Sequence, residues 1–391
     1  VISRVFEGAP ADIKSRLLRT FDTERITEHF AAAIASAAAL PNDDALLLLL
    51  CALRNVVVTM TEGDAFRRVL NPPLLQAVLA VLATASTPEI VAHGAAIAWT
   101  AWEFAPELAS DVAFTASPTA GPTHIASRLA VVADHHGRNG GAAHEVCGAL
   151  ARLIVANPGL RPSLTKFEVM RGCLVAAESH RDAVPLIVQA CTLLFELTRD
   201  DVAGGRKDLA EKVEASPGVG VCKVLAHVLE TAIQPARRET FHEAVRHAAL
   251  VIRNLATLEE GHPIFRQLQA DNVAGLLTAC LRLYAGASYR AAQAAIAGAL
   301  RNLLGDKLIA ASRVGHEEGT TIATLATTLH NACADLPPDN RVTAASAAAL
   351  WQLALHVESA DDVAHAEVGA VSALRAAIAM AARRALTAPT S

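Results

Sequence analysis

The chain has 391 residues, with 39 acidic against 34 basic side chains, and its net charge of −5 excludes an overall basic field for nucleic acid or anionic membrane. Hydrophobic residues make up 52% and aromatics only 4%, with a mean hydropathy of +0.33. That composition suits thin, close-packed helix layers better than one thick aromatic core.

In chain order, residues 1–43 are expected to form N-terminal capping helices. The apolar run Ala45–Leu53 is broken by Arg54-Asn55 and is too short to cross a bilayer. Leu74–Leu82 reads as an apolar helix. Ser86-Thr87-Pro88-Glu89 then supplies a cap residue, a proline at the first helical position and an acid in the first turn of a helix over Ala92–Ala105. Loops are expected at Ser117–Pro122, over Val202–Gly218 and at Leu336–Asn340, and Gly261-His262-Pro263 is a stop signal. The amphipathic segment Val368–Ala385 reads as a C-terminal cap, within residues 361–391.

Seven pairs of bulky apolar residues, three apart, punctuate this pattern: Leu53/Val56, Trp99/Trp102, Leu150/Leu153, Leu194/Leu197, Ile252/Leu255, Leu300/Leu303 and Leu350/Leu353. Their first members, the anchors, lie 46, 51, 44, 58, 48 and 50 residues apart. A period of this size points to an all-α solenoid, with a repeat array over residues 44–360. With each anchor at 0°, its partner lies at about 300°, so the buried direction is near 330°. The residue four before the anchor, at about 320°, is Leu49, Ala95, Val146, Ala190, Ala248, Ile296 or Ser346, apolar in six of seven. The residue two after it, at about 200°, is Asn55, Ala101, Arg152, Glu196, Asn254, Asn302 or Gln352, polar in six of seven. These +2 residues are expected to form an outward stripe along the stacked helices.

Leu53-Arg54-Asn55-Val56, Ile252-Arg253-Asn254-Leu255 and Leu300-Arg301-Asn302-Leu303 resemble the L-R-N-L heart of the third helix of armadillo repeats. The resemblance covers about Ile26 to Leu386. It implies a right-handed superhelix of about seven repeats, and the residues themselves read as two helices before each anchor-bearing helix. It also implies a concave groove where Asn55, Asn254 and Asn302, with Gln352 as a substitute, hold the backbone of an extended peptide through amide hydrogen bonds. The tryptophans that nuclear-import adaptors carry four residues before each asparagine are replaced here by Cys51, Leu250 and Gly298, which speaks against recognition of basic signals. Trp99 and Trp102 fall on the buried face.

The chemistry of sites is sparse. His242 and His247 are five apart, about 140° round a helix, so they do not make a zincin pair. His135-His136 beside a glycine loop, Gly218–Lys223 and the doublets Arg237-Arg238 and Arg383-Arg384 each fall short of a ligand-binding motif. Seven scattered cysteines without a C-x-x-C pair read as reduced thiols of an intracellular, cytoplasmic protein. The chain starts at Val1, so the lack of a leader says little about targeting. The expectation is a non-catalytic scaffold or adaptor without cofactor or metal. It would bind a protein or peptide along a groove lined by Asn55, Arg152, Glu196, Asn254, Asn302 and Gln352. The alternative is a structural subunit of a cytoskeletal, axonemal or organellar assembly, engaged through loops and the convex face.

Overall fold

The computed structural model describes residues 16, 26–39, 43–58, 69–85, 87–109, 138–165, 167–199, 204–213, 220–259, 262–304, 319–335, 338–355 and 369–387. Among the described residues the fold is all-helical. The loop Ser117–Pro122, His135-His136 and parts of Val202–Gly218 lie outside them. The chain divides into two compact units, residues 1–205 and 206–391.

In the first unit the long helices are α1 (Ile26–Ala39), α2 (Asp43–Val58), α3 (Pro72–Thr84), α4 (Pro88–Phe104), α5 (Gly140–Ala156), α6 (Phe167–Ser179) and α7 (Val184–Thr198). The anchor helices α2, α4, α5 and α7 pack on one another in chain order. Helices α1, α3 and α6 form a second layer against them. The second unit repeats this plan. Its anchor helices are α9 (Arg238–Leu255), α12 (Arg290–Leu304) and α14 (Asn340–Leu355), which stack in order. Their partner layer is α8 (Val221–Ile233), α11 (Val273–Leu283), α13 (Gly319–Ala334) and α15 (Ala370–Thr387), with the short α10 (Pro263–Ala270) beside α11.

Local sequence sets the helix starts. Pro72 and Pro88 occupy the first helical position, where a missing N–H costs nothing. The side chains of Asn71 and Asn139 accept from Leu74 N and Ala142 N, each at 3.1 Å. His262 Nδ1 does the same for Ile264 N ahead of Pro263. Thr87 departs from the expected cap: its hydroxyl donates to the Asp43 carboxylate and ties the start of α4 to the start of α2.

The anchor register is the core register. Thirteen of the fourteen anchor-pair residues are buried, and Trp99 is half-buried. Each buried leucine or isoleucine contributes roughly 1.5–3 kcal/mol, several times what an exposed ion pair gives. The apolar pairs therefore decide how the layers stack. Of the residues four before the anchors, six are buried; the exception is Leu49, and Ser346 is buried completely. The expected two helices ahead of each anchor helix are unequal. One long partner helix is the rule, preceded by short turns such as Pro158–Leu160 and Arg161–Leu164, or by the two-turn α10.

Candidate functional site

The stripe two after each anchor is a seam between helices and not an open face. Glu196 and Asn254 are each only 6% exposed, and Ala101 is fully buried. Asn55, Asn302 and Gln352 are half-buried, leaving Arg152 as the exposed member. This corrects the expectation of an outward polar stripe. An anchor helix in a stack is covered by its partner layer and by neighbouring anchor helices, so the 200° side meets the helix before it. Arg152 on α5 pairs with Glu103 on α4 at 3.1 Å. Asn302 Nδ2 on α12 donates to the Arg253 carbonyl on α9 at 3.0 Å. That carbonyl is bypassed by the turn that ends α9, where Ala256 N bonds Ile252 O and Thr257 N bonds Asn254 O. The Asn302 amide thus completes a neighbouring helix terminus. Glu196 takes Arg161 at 3.5 Å in a pair where both side chains are 8% exposed, with Arg199 at 3.8 Å on its other oxygen.

The open sector lies at about 100–140°. The residue five after the anchor is Val58, Phe104, Val155, Arg199, Thr257 or Leu355, and it is exposed in all six described cases. On α2, α4, α5 and α14 this position lies at about 140°, nearly opposite the buried direction, whereas Arg199 and Thr257 stand just past the ends of α7 and α9. The residue one after the anchor, at about 100°, is half-buried or exposed in six of seven helices; in α5 it is the buried Ala151. In the first unit, Arg54 at this position places Nη2 2.8 Å from Glu145 Oε1 on α5 and Nη1 3.4 Å from His93 Nδ1 on α4. His144 Nδ1 lies 3.7 Å from the same carboxylate oxygen, and its ring meets the Trp99 ring edge-on at 5.4 Å. Burial, reinforced by the Arg54 charge, lowers the His93 pKa from its ordinary value despite Glu145 and Glu89. Trp99 lies across Gly148 of α5: a Cβ there would fall 2.5 Å from the ring.

In the second unit the +1 positions are Arg253, Arg301 and Trp351. Trp351 is 62% exposed and Leu355, one turn on, 58%. Arg301 Nε donates to Asn302 Oδ1 at 3.1 Å.

The sequence matches no family model, and no curated protein matches it. Among solved structures the chain is similar to the crystal structure of SYS-1, with a TM-score of 0.53 and 12% identity. That match covers 86% of this chain, which spans only 63% of the SYS-1 chain. At this identity the likeness speaks for the fold alone: a solenoid-like stack of helices.

Among the described residues no three His, Cys, Asp or Glu side chains could hold a metal ion. His242 packs on the Tyr289 ring, whereas His247 is buried with Nδ1 3.0 Å from Glu243 O. Burial first, then Arg246, lowers the His247 pKa against the pull of Glu243. Cys147 and Cys173 place their sulfurs 3.9 Å apart. The hydrogen bond to Cys147 and burial hold the Cys173 thiol well above its ordinary pKa. Burial pushes Cys191 and Cys280 up to about 12. Thiols held protonated are poor nucleophiles. Among the described residues no helix is long and apolar enough to cross a membrane.

Proposed function

We propose that this chain is a non-catalytic, intracellular protein-interaction scaffold that presents the open sector of its anchor helices to a peptide or helix of another protein. The observation that carries this proposal is the residue five after each anchor, exposed in six of six described cases and large and apolar in four: Val58, Phe104, Val155 and Leu355. Large apolar side chains recurring at one register position on the surface mark an interaction site more often than scattered ones do. The fold proposed with it is a right-handed armadillo-like superhelix of about seven repeats. In its support, α10, α11 and α12 follow one another as a short, a middle and a long helix, ending in the Leu300-Arg301-Asn302-Leu303 match. The seven free cysteines fit a reducing compartment.

Within this proposal the amides of the +2 stripe serve the stack, and the ligand meets the +1 and +5 positions. The test is photo-cross-linking in native extract, with benzoylphenylalanine placed singly at Val155, Trp351, Arg171 or Ile378. The proposal expects discrete adducts from Val155 and Trp351. Adducts confined to Arg171 on α6 and Ile378 on α15, both in the partner layer, would overturn it.

A further inference from the structure

The two units treat the first position after the anchor differently. In the first unit Arg54 finds its carboxylate within the chain, at Glu145, five residues before the anchor of the helix two further along the stack. Helices α12 and α14 carry three arginines, Arg290, Arg301 and Arg341, and no acidic residue. Arg290 is already spent on Asp335, at 2.6 and 2.8 Å to its two oxygens. Arg301 is exposed, and its Nε makes the neutral bond to Asn302; among the described residues no carboxylate pairs with it. At the same register on the next anchor helix stands Trp351, followed one turn later by Leu355, both more than half exposed. On α9, Glu243 is engaged by Arg246 at 2.7 Å, and Glu239 stands in the first turn, more than three turns from the level of Arg253.

Building on the scaffold proposal, we infer that the α12–α14 face of the second unit binds an acidic, extended peptide of another protein, with a carboxylate on Arg301 and an apolar side chain on Trp351 and Leu355. Charge complementarity selects this occupant. An exposed guanidinium that no carboxylate among the described residues pairs with offers a planar fork that matches a carboxylate. The indole beside it gives a large rigid apolar surface of the kind that dominates binding energy. Packed anchor helices lie about 8–10 Å apart. At roughly 3.3 Å per extended residue the acid and the apolar residue are then about three positions apart.

The test is a selection of random dodecamer peptides displayed on phage against the whole chain, repeated with Arg301→Glu, Arg301→Lys and Trp351→Ala, each confirmed folded by its thermal transition. The inference expects enriched peptides with Asp or Glu about three positions from an aromatic or aliphatic residue. A synthetic member of that set should lose at least about tenfold in affinity with Arg301→Glu or Trp351→Ala. Arg301→Lys should lose part of the affinity while keeping the preference for an acid, and selection on Arg301→Glu should exchange the acid for Lys or Arg. Peptides enriched without an acidic preference, an acid preference that survives Arg301→Glu, or no enrichment at all would each overturn the inference. Peptides without acid that still cross-link to α12 or α14 would leave the scaffold proposal standing while this one fell.

Discussion

Arg54 and Glu145 meet at 2.8 Å although the helices that carry them, α2 and α5, are separated in the stack by α4. The arginine side chain passes His93 on α4 to reach the carboxylate, so one ion pair ties three anchor helices. Arg54 is about one-third exposed and Glu145 far less, which places the pair between a solvated surface bridge and a buried one. A double-mutant cycle with Arg54→Ala and Glu145→Gln should return a coupling of about 1 kcal/mol in unfolding free energy. Raising the salt should shrink it. Additive single effects would show that the pair is decorative.

Acidification should weaken the fold through two histidines. His93 and His247 both titrate below 6.5 in the native state, burial being the first cause in each. Between 6.5 and those lowered values the unfolded chain takes up a proton that the native chain does not. Their contribution is therefore complete above about pH 6.5 and is lost as the pH falls through the folded values. Denaturant titrations between about pH 8 and pH 5 should show this decline, with a shallower slope in the double variant His93→Gln/His247→Gln. An unchanged slope would remove these two residues from the acid response.

Gly148 is required by the approach of the Trp99 ring, whose atoms would lie 2.5, 2.6 and 2.8 Å from an added Cβ. Alanine gains about 1 kcal/mol of helix propensity over glycine. A rigid ring in a packed seam costs more to displace, so Gly148→Ala should lower stability by a net of about 1–2 kcal/mol. In a Trp99→Leu background the same substitution should become neutral or stabilising. A stabilising Gly148→Ala in the parent chain would contradict the geometry.

Ser346 stands where six other anchor helices carry an apolar residue, and its Oγ is buried without a hydrogen-bond partner among the described residues. Removing a buried, unsatisfied hydroxyl relieves its desolvation cost. Ser346→Ala should raise unfolding stability by about 1 kcal/mol, read as a higher denaturant midpoint at constant slope.

The core was legible because burial follows a 3.6-residue period that one sequence displays. Leu53/Val56 and Leu300/Leu303 are as buried as their spacing requires. The candidate site was misplaced because on a helical wheel the +2 position, about 130° from the buried direction, counts as outward, although that side of a stacked helix meets its neighbour. Asn254 and Glu196 look outward on such a wheel, yet neighbouring packing encloses both. Polar character did not reveal this, since a seam between helices also selects polar residues: Asn302 and Arg152 bond to the preceding helix. Trp351 directly follows its anchor Leu350, and its exposure is read from the packing of α14 on α12.

The displaced register is the claim on which the binding surface depends, and cysteine accessibility tests it most directly. Single variants at adjacent register positions, Asn254→Cys against Thr257→Cys and Ala101→Cys against Phe104→Cys, should be labelled with a maleimide under native conditions and compared with the parent chain. Fast labelling at positions 257 and 104, with protection at 254 and 101, is the expected result. Labelling at 254 and 101 as fast as at 257 and 104 would contradict the account and return the open face to the +2 stripe.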